Sequence, residues 1–258
     1  MHKRRKQHLP LNSGPLLAKK QLKRQETTNY SWHNQYTAPN CIVVLADIVK
    51  SRQLQEQRNA IQIQLRQLIQ SLNDRAAGTV ISAFEIREGD GIRGVLSSGE
   101  SIADLLWQID TELSGVRMRA GVGRGGLSTF GKFPDDLDGP AYYAARDAIA
   151  LAARQKLLGG VFLGFAEYDD VMTALAYSLA DRRRDFTERQ CRVVRLLLSG
   201  HSKSEVAKEM RITASSVHDI TKAAHWAAYS REHISLVSLL STFESVDAWT
   251  SELAGSSK

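Results

Sequence analysis

The stretch that decides the fold is residues 40–49, Asn-Cys-Ile-Val-Val-Leu-Ala-Asp-Ile-Val, an apolar run of strand length that carries a single carboxylate near its end. Such a run is typical of a strand buried at the centre of a sheet. Beyond it, residues 54–72 place apolar side chains at helical spacing, and Gly78 follows as a stop signal. The sequence therefore predicts a buried strand followed by an amphipathic helix.

The next segments extend this pattern to a complete α+β unit. Residues 79–86 and 92–96 have the composition of strands, and the Gly-Asp-Gly within residues 87–91 predicts the hairpin turn between them. A second amphipathic helix is predicted over 101–113 and a fourth strand over 116–122. The order βαββαβ is that of a ferredoxin-like fold. A helix from 140 to about 155 and a short strand at 161–165 extend it.

Charge divides the chain into three predicted segments. The whole chain has 34 Lys and Arg against 28 Asp and Glu, a net charge of +6, yet residues 1–30 alone sum to +7. We therefore predict a disordered basic arm over residues 1–39, which either solubilises the protein or adds phosphate contacts to a nucleic acid. A domain over 40–180 follows, with residues 31–180 at −3. The third domain covers 181–258, of which residues 181–231 sum to +5.

Several classes of protein are excluded by composition. No apolar run approaches the roughly 18 to 20 residues that a membrane span requires, and the first residues lack a convincing signal-peptide core. The two cysteines, Cys41 and Cys191, offer no disulfide framework and no metal cluster. We expect reduced thiols in a cytoplasmic protein that does not enter the membrane.

Two carboxylates are predicted to meet at one end of the sheet. In a βαββαβ sheet the first strand lies beside the third and antiparallel to it, so Asp47 comes close to Asp90. Neighbouring carboxylates repel each other unless a proton or cation lies between them, and Mg²⁺ prefers such oxygen ligands. The alternative is that Asp90 is a turn residue and Asp47 a strand-end or helix-capping group.

Three short motifs carry a family resemblance. Residues 45–51 (Leu-Ala-Asp-Ile-Val-Lys-Ser), 88–91 (Glu-Gly-Asp-Gly) and 138–146 (Asp-Gly-Pro-Ala-Tyr-Tyr-Ala-Ala-Arg) resemble three blocks of the class III nucleotide cyclase catalytic domain. Together with the C-terminal region described below, the chain more closely resembles the SatD family of small bacterial proteins. The resemblance implies a cyclase-like palm domain, Mg²⁺ or Mn²⁺ at Asp47 and Asp90, and a nucleotide or phosphate site that includes Gly89, Tyr142 and Arg146.

The departures from the cyclase pattern bear on activity. Tyr142 stands where cyclases have an asparagine that orients the ribose, and Ile86 stands where they have a lysine that contacts the purine. Arg146 is kept and is the catalytic candidate if the palm is active, the alternative being an ion pair with Asp147 or Asp138 on the helix surface. We therefore expect the palm to bind a nucleotide or another phosphorylated ligand rather than to turn it over. A purely structural or dimerising palm is the alternative.

The third segment has the pattern of three short capped helices. Thr187 with Gln190, and Ser202 with Glu205, have the spacing of capping boxes, and Thr213 has the place of a third N-cap. Residues 186–220 resemble the LuxR and sigma-region-4 class of helix-turn-helix, whose last helix enters the DNA major groove. A protein-interaction module is the alternative.

The third of these helices carries the predicted DNA contacts. Short polar side chains and a lysine suit the major groove, whereas Asp219 is repelled by phosphate unless it accepts from a cytosine amine. Beyond Arg231, apolar residues as far as Trp249 predict an amphipathic C-terminal helix that packs on the palm or pairs with a second subunit; we favour a homodimer on a palindromic site. The predicted DNA-binding residues are Thr213, Ser215, Ser216, His218, Asp219 and Lys222.

Together these features predict a transcriptional regulator that binds double-stranded DNA. Its catalytically degenerate palm is expected to sense a nucleotide or another phosphorylated ligand. The alternative is a nucleotide cyclase or another metal-dependent phosphoryl-transfer enzyme with a regulatory helix-turn-helix. A scaffold with an inactive palm is a third hypothesis.

Overall fold

A computed structural model describes residues 40–49, 57–87, 91–113, 116–128 and 137–243. Contacts between residues divide the chain into two units, residues 1–35 and 36–258, and every described residue belongs to the second. The predicted basic arm and the last part of the predicted C-terminal helix, including Val246 and Trp249, lie outside the described residues. The described chain is of the mixed α+β class.

The first half of the chain follows the predicted order of elements. The sequence-based bounds differ from the observed ones by a few residues, mostly at the start of the first helix and in the last two strands. The elements are β1 (Cys41–Ile48), α1 (Arg58–Arg75), β2 (Val80–Arg87), β3 (Gly91–Leu96), α2 (Ile102–Thr111), β4 (Met118–Gly125), α3 (Pro140–Gln155) and β5 (Gly159–Leu163).

The five strands form one sheet with β1 at its centre. The order is β2-β3-β1-β4-β5, with β1 antiparallel to both of its neighbours and β5 parallel to β4. The predicted antiparallel pairing of the first and third strands is confirmed, since Ala46 lies opposite Ile92. The end of β1 and the start of β3 are therefore adjacent.

Side chains of β1 alternate between two packed layers, as its position in the sheet requires. Ile42 and Val44 belong to the main core, which includes α1 and α2, whereas Cys41 and Val43 belong to a smaller core beneath α3. Burial raises the pKa of the Cys41 thiol to about 12. Both faces of the central strand are thus covered, which agrees with its nearly continuous apolar sequence.

Helix α3 lies unusually close to β4 because both surfaces consist of small residues. A Cβ added at Gly123 would lie 2.7 Å from the Cα of Ala145 and closer still to its backbone nitrogen, and one at Gly121 would overlap the same helix. Ala141 and Ala145 are fully buried at this contact. Gly121 and Gly123 of β4 therefore allow α3 to pack closely against the strand.

The second half of the described chain is helical. Sequence analysis did not predict the first of these helices, which continues from a short 3-10 turn at Ala166–Tyr168. No helix in the described ranges is long and apolar enough to cross a membrane. The helices are α4 (Asp169–Arg183), α5 (Glu188–Leu198), α6 (Lys203–Glu209), α7 (Ala214–Ala223) and α8 (Trp226–Ser241).

A buried polar network joins these helices to the sheet layer. Arg183, at the end of α4, donates through Nε to Asp110 of α2 at 3.0 Å and through Nη1 to the hydroxyl of Tyr229 of α8 at 2.8 Å. Its Nη2 also donates to Asp110. The Arg183 guanidinium lies 5.6 Å from the centre of the Trp107 ring, which meets Tyr229 edge to face. The α2, α4 and α8 helices are therefore held at one charged centre.

Candidate functional site

The carboxylate at the end of β1 pairs with an arginine. Asp47 lies opposite Arg119 of β4, whose Nη2 donates to Asp47 Oδ2 at 2.9 Å. Nε lies 2.6 Å from Oδ1, although neither of these two atoms makes an aligned hydrogen bond within the described residues. The Asp47 side chain is 35% exposed and the Arg119 side chain is 23% exposed, so the pair remains accessible from solvent. Sequence analysis missed Arg119, although the antiparallel pairing of the first and fourth strands could have indicated it.

The predicted metal site is described only in part. Asp90 and Gly89 lie outside the described residues, which resume with Gly91 at the start of β3. Among the residues that the structure describes, no group of three or more His, Cys, Asp or Glu side chains could hold a metal ion. Because Arg119 contacts both oxygens of Asp47, a metal ion would have to share that carboxylate with the guanidinium or displace it.

Helix α3 carries the other two predicted ligand-binding residues. Tyr142 is half-buried and packs against the small core that contains Val43. Arg146, one turn further along, is exposed, and its guanidinium lies 5.5 Å from the centre of the Tyr143 ring. The hydroxyl of Tyr143 donates to Asp138, and this hydrogen bond raises the pKa of the phenol. Arg146 therefore rests on an aromatic ring and keeps its polar edge available.

A second arginine that sequence analysis missed lies on β3. Arg93 pairs in register with Leu45 of β1 and lies 3.5 Å from Glu85 of β2, which also contacts Arg87 at 3.2 Å. Burial, together with the charge of Arg87, lowers the pKa of Arg93. Because side chains alternate along each strand, Arg93 lies on the same face of the sheet as Asp47. This face therefore presents the Arg93 and Arg119 guanidinium groups beside two carboxylates, those of Glu85 and Asp47.

The three helices α5 to α7 form a small unit with its own apolar core. Val193, Val206 and Val217, one from each helix, are fully buried together. Both predicted capping boxes are confirmed: the Thr187 side chain accepts from the backbone nitrogen of Gln190, and the equivalent bond closes the start of α6. Capped ends and a shared core fix the three short helices relative to one another.

Helix α7 exposes most of the residues that were predicted to contact DNA. Ser215, His218, Asp219 and Lys222 are exposed, whereas Ser216 is half-buried. Thr213 is also exposed, but its hydroxyl accepts from the backbone nitrogen of Ser216 at 3.1 Å and caps the helix. Thr213 and Ser216 therefore secure the start of α7, and the other four side chains lie free of its core.

Part of the positive charge near this unit is neutralised within the fold. Arg183 is buried against Asp110, as described above. Arg182 contacts Glu232 at 2.6 Å, Arg184 lies 3.2 Å from Asp181, and Arg195 lies 2.9 Å from Glu112. Arg182, Arg183 and Arg195 therefore attach helices to one another, whereas Arg184 pairs locally at the end of α4. The charge of +5 counted over residues 181–231 overstates what is available to a polyanion.

The apolar face of α8 packs on the rest of the chain. Tyr229, Leu236 and Leu240 are buried in the main core, and the Phe243 ring meets Phe165 edge to face with ring centres 5.2 Å apart. Ile234 is 61% exposed. The described part of this helix therefore follows the first of the two predicted alternatives, in which its apolar side chains pack back on the palm. The homodimer stays a prediction, because residues 244–258 of the predicted helix lie outside the described part of the chain.

Comparisons with known proteins place the chain in a family. No curated protein matches it. Among solved structures, it is similar to the catalytic core of a rhodopsin-guanylyl cyclase with converted specificity in complex with ATPαS, at 19% identity and a TM-score of 0.31, over 42% of this chain and 71% of that chain. The SatD family model matches residues 41–240, which include all the elements described above except Ser241, the last residue of α8. This chain is thus a member of the SatD family.

Proposed function

We propose that this protein is a DNA-binding transcriptional regulator in which α5 to α7 act as a helix-turn-helix and the sheet layer binds a phosphorylated ligand. The observation that carries the proposal is the surface of α7. Ser215, His218, Asp219 and Lys222 are exposed on a helix whose other side is held by Val217 and by the two capped helices before it. Exposed short polar side chains and a lysine on a rigid helix suit contacts with base edges.

Cations on the neighbouring helices add to this surface. Arg189 and Arg192 are exposed on α5, and Lys203 and Lys208 are exposed on α6. Arginine and lysine side chains next to a recognition helix contact phosphates, which supply affinity and orientation but no sequence information. We therefore expect α7 to read sequence and the other two helices to bind the backbone.

The test begins with selection of binding sites from a random duplex library by the full chain. The enriched sequence is then used to compare Lys222→Ala with Arg154→Ala, which removes an equal charge from an exposed position on α3. Loss of a base contact costs about 1–3 kcal/mol and loss of a phosphate contact lowers the salt dependence by about one ion. We expect Lys222→Ala to weaken binding and Arg154→Ala to leave it unchanged. Failure of any sequence to enrich, or equal effects of the two changes, contradicts the proposal.

The ligand proposal rests on charges on the α3 side of the sheet. Arg93 and Arg119 lie on β3 and β4, the two strands that flank β1, near Asp47. Arg146 belongs to the turn of α3 that packs on Gly121, and Gly121 pairs with Leu45 of β1. Guanidinium groups favour phosphate oxygens, which they bind in pairs. A thermal-shift screen of nucleoside triphosphates, with and without Mg²⁺ or Mn²⁺, tests this site. Arg146→Gln should abolish a shift that Arg154→Gln, on the same helix, retains.

A second candidate function is a metal-dependent phosphoryl-transfer enzyme of the nucleotide cyclase type. It is favoured by the position of Asp47 at the end of β1, beside the start of β3, with Asp90 as the second proposed ligand of Mg²⁺ or Mn²⁺. Incubation with each nucleoside triphosphate and either metal should then give a product that is lost in Asp47→Asn and kept in Asp74→Asn, an exposed position on α1. If no combination of nucleotide and metal gives product, the enzyme is rejected and the DNA-binding regulator is the proposal that is kept.

A further inference from the structure

A cleft lies where α2 meets α5 and α8, and none of its lining residues belongs to β1 or to α7. Its volume is about 140 Å³, which is more than a single water molecule occupies. Glu100, just before α2, and Asp104 and Trp107 of α2 form one wall. The opposite wall includes Arg195 and Leu198 of α5 and His233 of α8. The cleft therefore lies between α2, which packs in the main core with the sheet, and the C-terminal helices α5 and α8.

The two walls carry opposite charges. Asp104 Oδ2 accepts from Gln108 at 2.8 Å and lies 3.4 Å from Nη1 of Arg75, so Oδ1 of this half-exposed carboxylate is the oxygen left for a ligand. Glu100, at the same wall, is exposed. On the other side Arg195 donates through Nη1 to Glu112 at 2.9 Å, whereas its buried Nη2 has no hydrogen-bond partner among the described residues. The Arg195 side chain as a whole is 29% exposed, so a ligand in the cleft meets its positive charge although Nη2 itself is out of reach.

The remaining lining adds apolar surface and a neutral ring. Ala103, Leu198 and Val237 contribute aliphatic groups. Burial, and then the charge of Arg183, lowers the pKa of His233, so its imidazole is neutral at neutral pH. The charges that face the cleft are therefore the two carboxylates and the Arg195 guanidinium.

We propose that this cleft binds a small zwitterion of the amino-acid class, with its carboxylate towards Arg195 and its ammonium group towards Glu100 and Asp104. A simple anion would meet two carboxylates, and a simple cation would meet the Arg195 guanidinium. The aliphatic lining and the small volume favour a short aliphatic side chain over a nucleotide or an aromatic ligand.

Ligand binding at this place would act on the contact between the two layers. Trp107 lines the cleft and also contacts Arg183 and Tyr229, which hold α2, α4 and α8 together. Arg195 belongs to the first helix of the three-helix unit. A bound zwitterion would connect the same two walls through additional hydrogen bonds and would stabilise the arrangement observed here.

The proposal is tested by titrating the full chain with each standard amino acid at up to millimolar concentration, using calorimetry and thermal shift. We expect saturable 1:1 binding of at least one aliphatic amino acid. The matching amine without a carboxylate and the matching acid without an amine should each bind roughly tenfold more weakly or less, because each loses one charged contact. Equal binding of either fragment overturns the zwitterion assignment, and the absence of saturable binding by every amino acid overturns the site.

Variants of the two walls locate the binding. Arg195→Gln and Asp104→Asn should each lower the affinity about tenfold or more, and Arg154→Gln, at an exposed position on α3, should leave it unchanged. Asp104→Asn preserves size and lies at a half-exposed position, so it provides a folded variant even where Arg195→Gln is unstable. Unchanged affinity in Asp104→Asn overturns the proposal. The readout does not involve DNA, so it is independent of the proposed DNA-binding function.

Discussion

Replacing Arg183 with glutamine should destabilise the protein far more than the same replacement of its neighbour Arg182. Both arginines lie in the last turn of α4 and both pair with a carboxylate. The Arg183 side chain is 3% exposed and contacts Asp110 and the Tyr229 hydroxyl, whereas the Arg182 side chain is 32% exposed and contacts Glu232. The comparison therefore varies burial while helix position and residue type are held constant.

The expected magnitudes follow from the surroundings of each pair. Removal of one partner of a buried ion pair costs about 3–5 kcal/mol, because the other charge stays buried without compensation. An exposed pair contributes about 0–1 kcal/mol. Burial raises the pKa of Asp110, and the charge of Arg183 opposes this shift. Removal of the guanidinium would therefore leave the Asp110 carboxylate buried without a compensating charge. We expect a difference of about 3 kcal/mol between the two variants.

Urea denaturation, followed by circular dichroism and by tryptophan fluorescence, measures this difference. The fluorescence includes the signal of Trp107, one of four tryptophans in the chain, which lies beside the Arg183 guanidinium. Tyr229→Phe, which removes one hydrogen bond from the same centre, should lose an intermediate amount of about 1–2 kcal/mol. Free energies of unfolding that fall by the same amount in Arg183→Gln and Arg182→Gln would refute the reasoning, because burial would then have no effect.

Three further predictions concern packing, pH and thiol reactivity. Gly123→Ala should lower the free energy of unfolding by about 3 kcal/mol or more, because the new methyl group overlaps backbone atoms of α3. Gly78→Ala, with no atom within 4 Å of the new methyl group, should change it by less than about 1 kcal/mol. Equal losses of the two variants in urea denaturation would contradict this. Burial holds the pKa of His233 below 6.5, so the unfolded chain takes up the proton first and stability falls as pH drops below about 6.5. In His233→Gln that part of the slope should disappear from a pH series of denaturation curves, and an unchanged slope speaks against the assignment. Cys41, with its pKa raised to about 12, should resist iodoacetamide at pH values near 8 until the protein unfolds, as peptide mapping by mass spectrometry can show; labelling of the native protein would disprove it.

The sheet layer was predictable because its signals are local. The apolar run that became β1 and the helical spacing that became α1 depend on neighbouring residues only, and the pairing of β1 with β3 follows from the handedness of the connections. The caps at Thr187 and Ser202 were equally predictable, since a capping box spans four residues. The apolar run, the helical spacing and the caps each lie within a short segment, and the pairing of β1 with β3 follows from the order of those segments.

The features that were not predicted depend on distant partners. Helix α4 buries Met172 and Leu179 in the core while Val171 and Tyr177 remain exposed on its other sides, so its apolar residues do not form one stripe. Arg119 and Arg183 were not recognised as structural because their carboxylates lie 72 and 73 residues away in the sequence. A basic residue looks the same in sequence whether it binds a phosphate or closes an internal ion pair, and only the fold distinguishes the two.

The attachment of the last helices through α4 has a consequence for how such a chain can be rearranged. A gene fusion that joined the first 180 residues to a different C-terminal module would cut within an unbroken helix and would remove Arg183, leaving Asp110 and Trp107 without the groups they contact. A replacement module would have to supply a matching cation and an aromatic hydroxyl at the same positions. Exchange of modules by recombination is therefore restricted to breakpoints beyond this helix, and variants of this architecture should carry the charged centre with them.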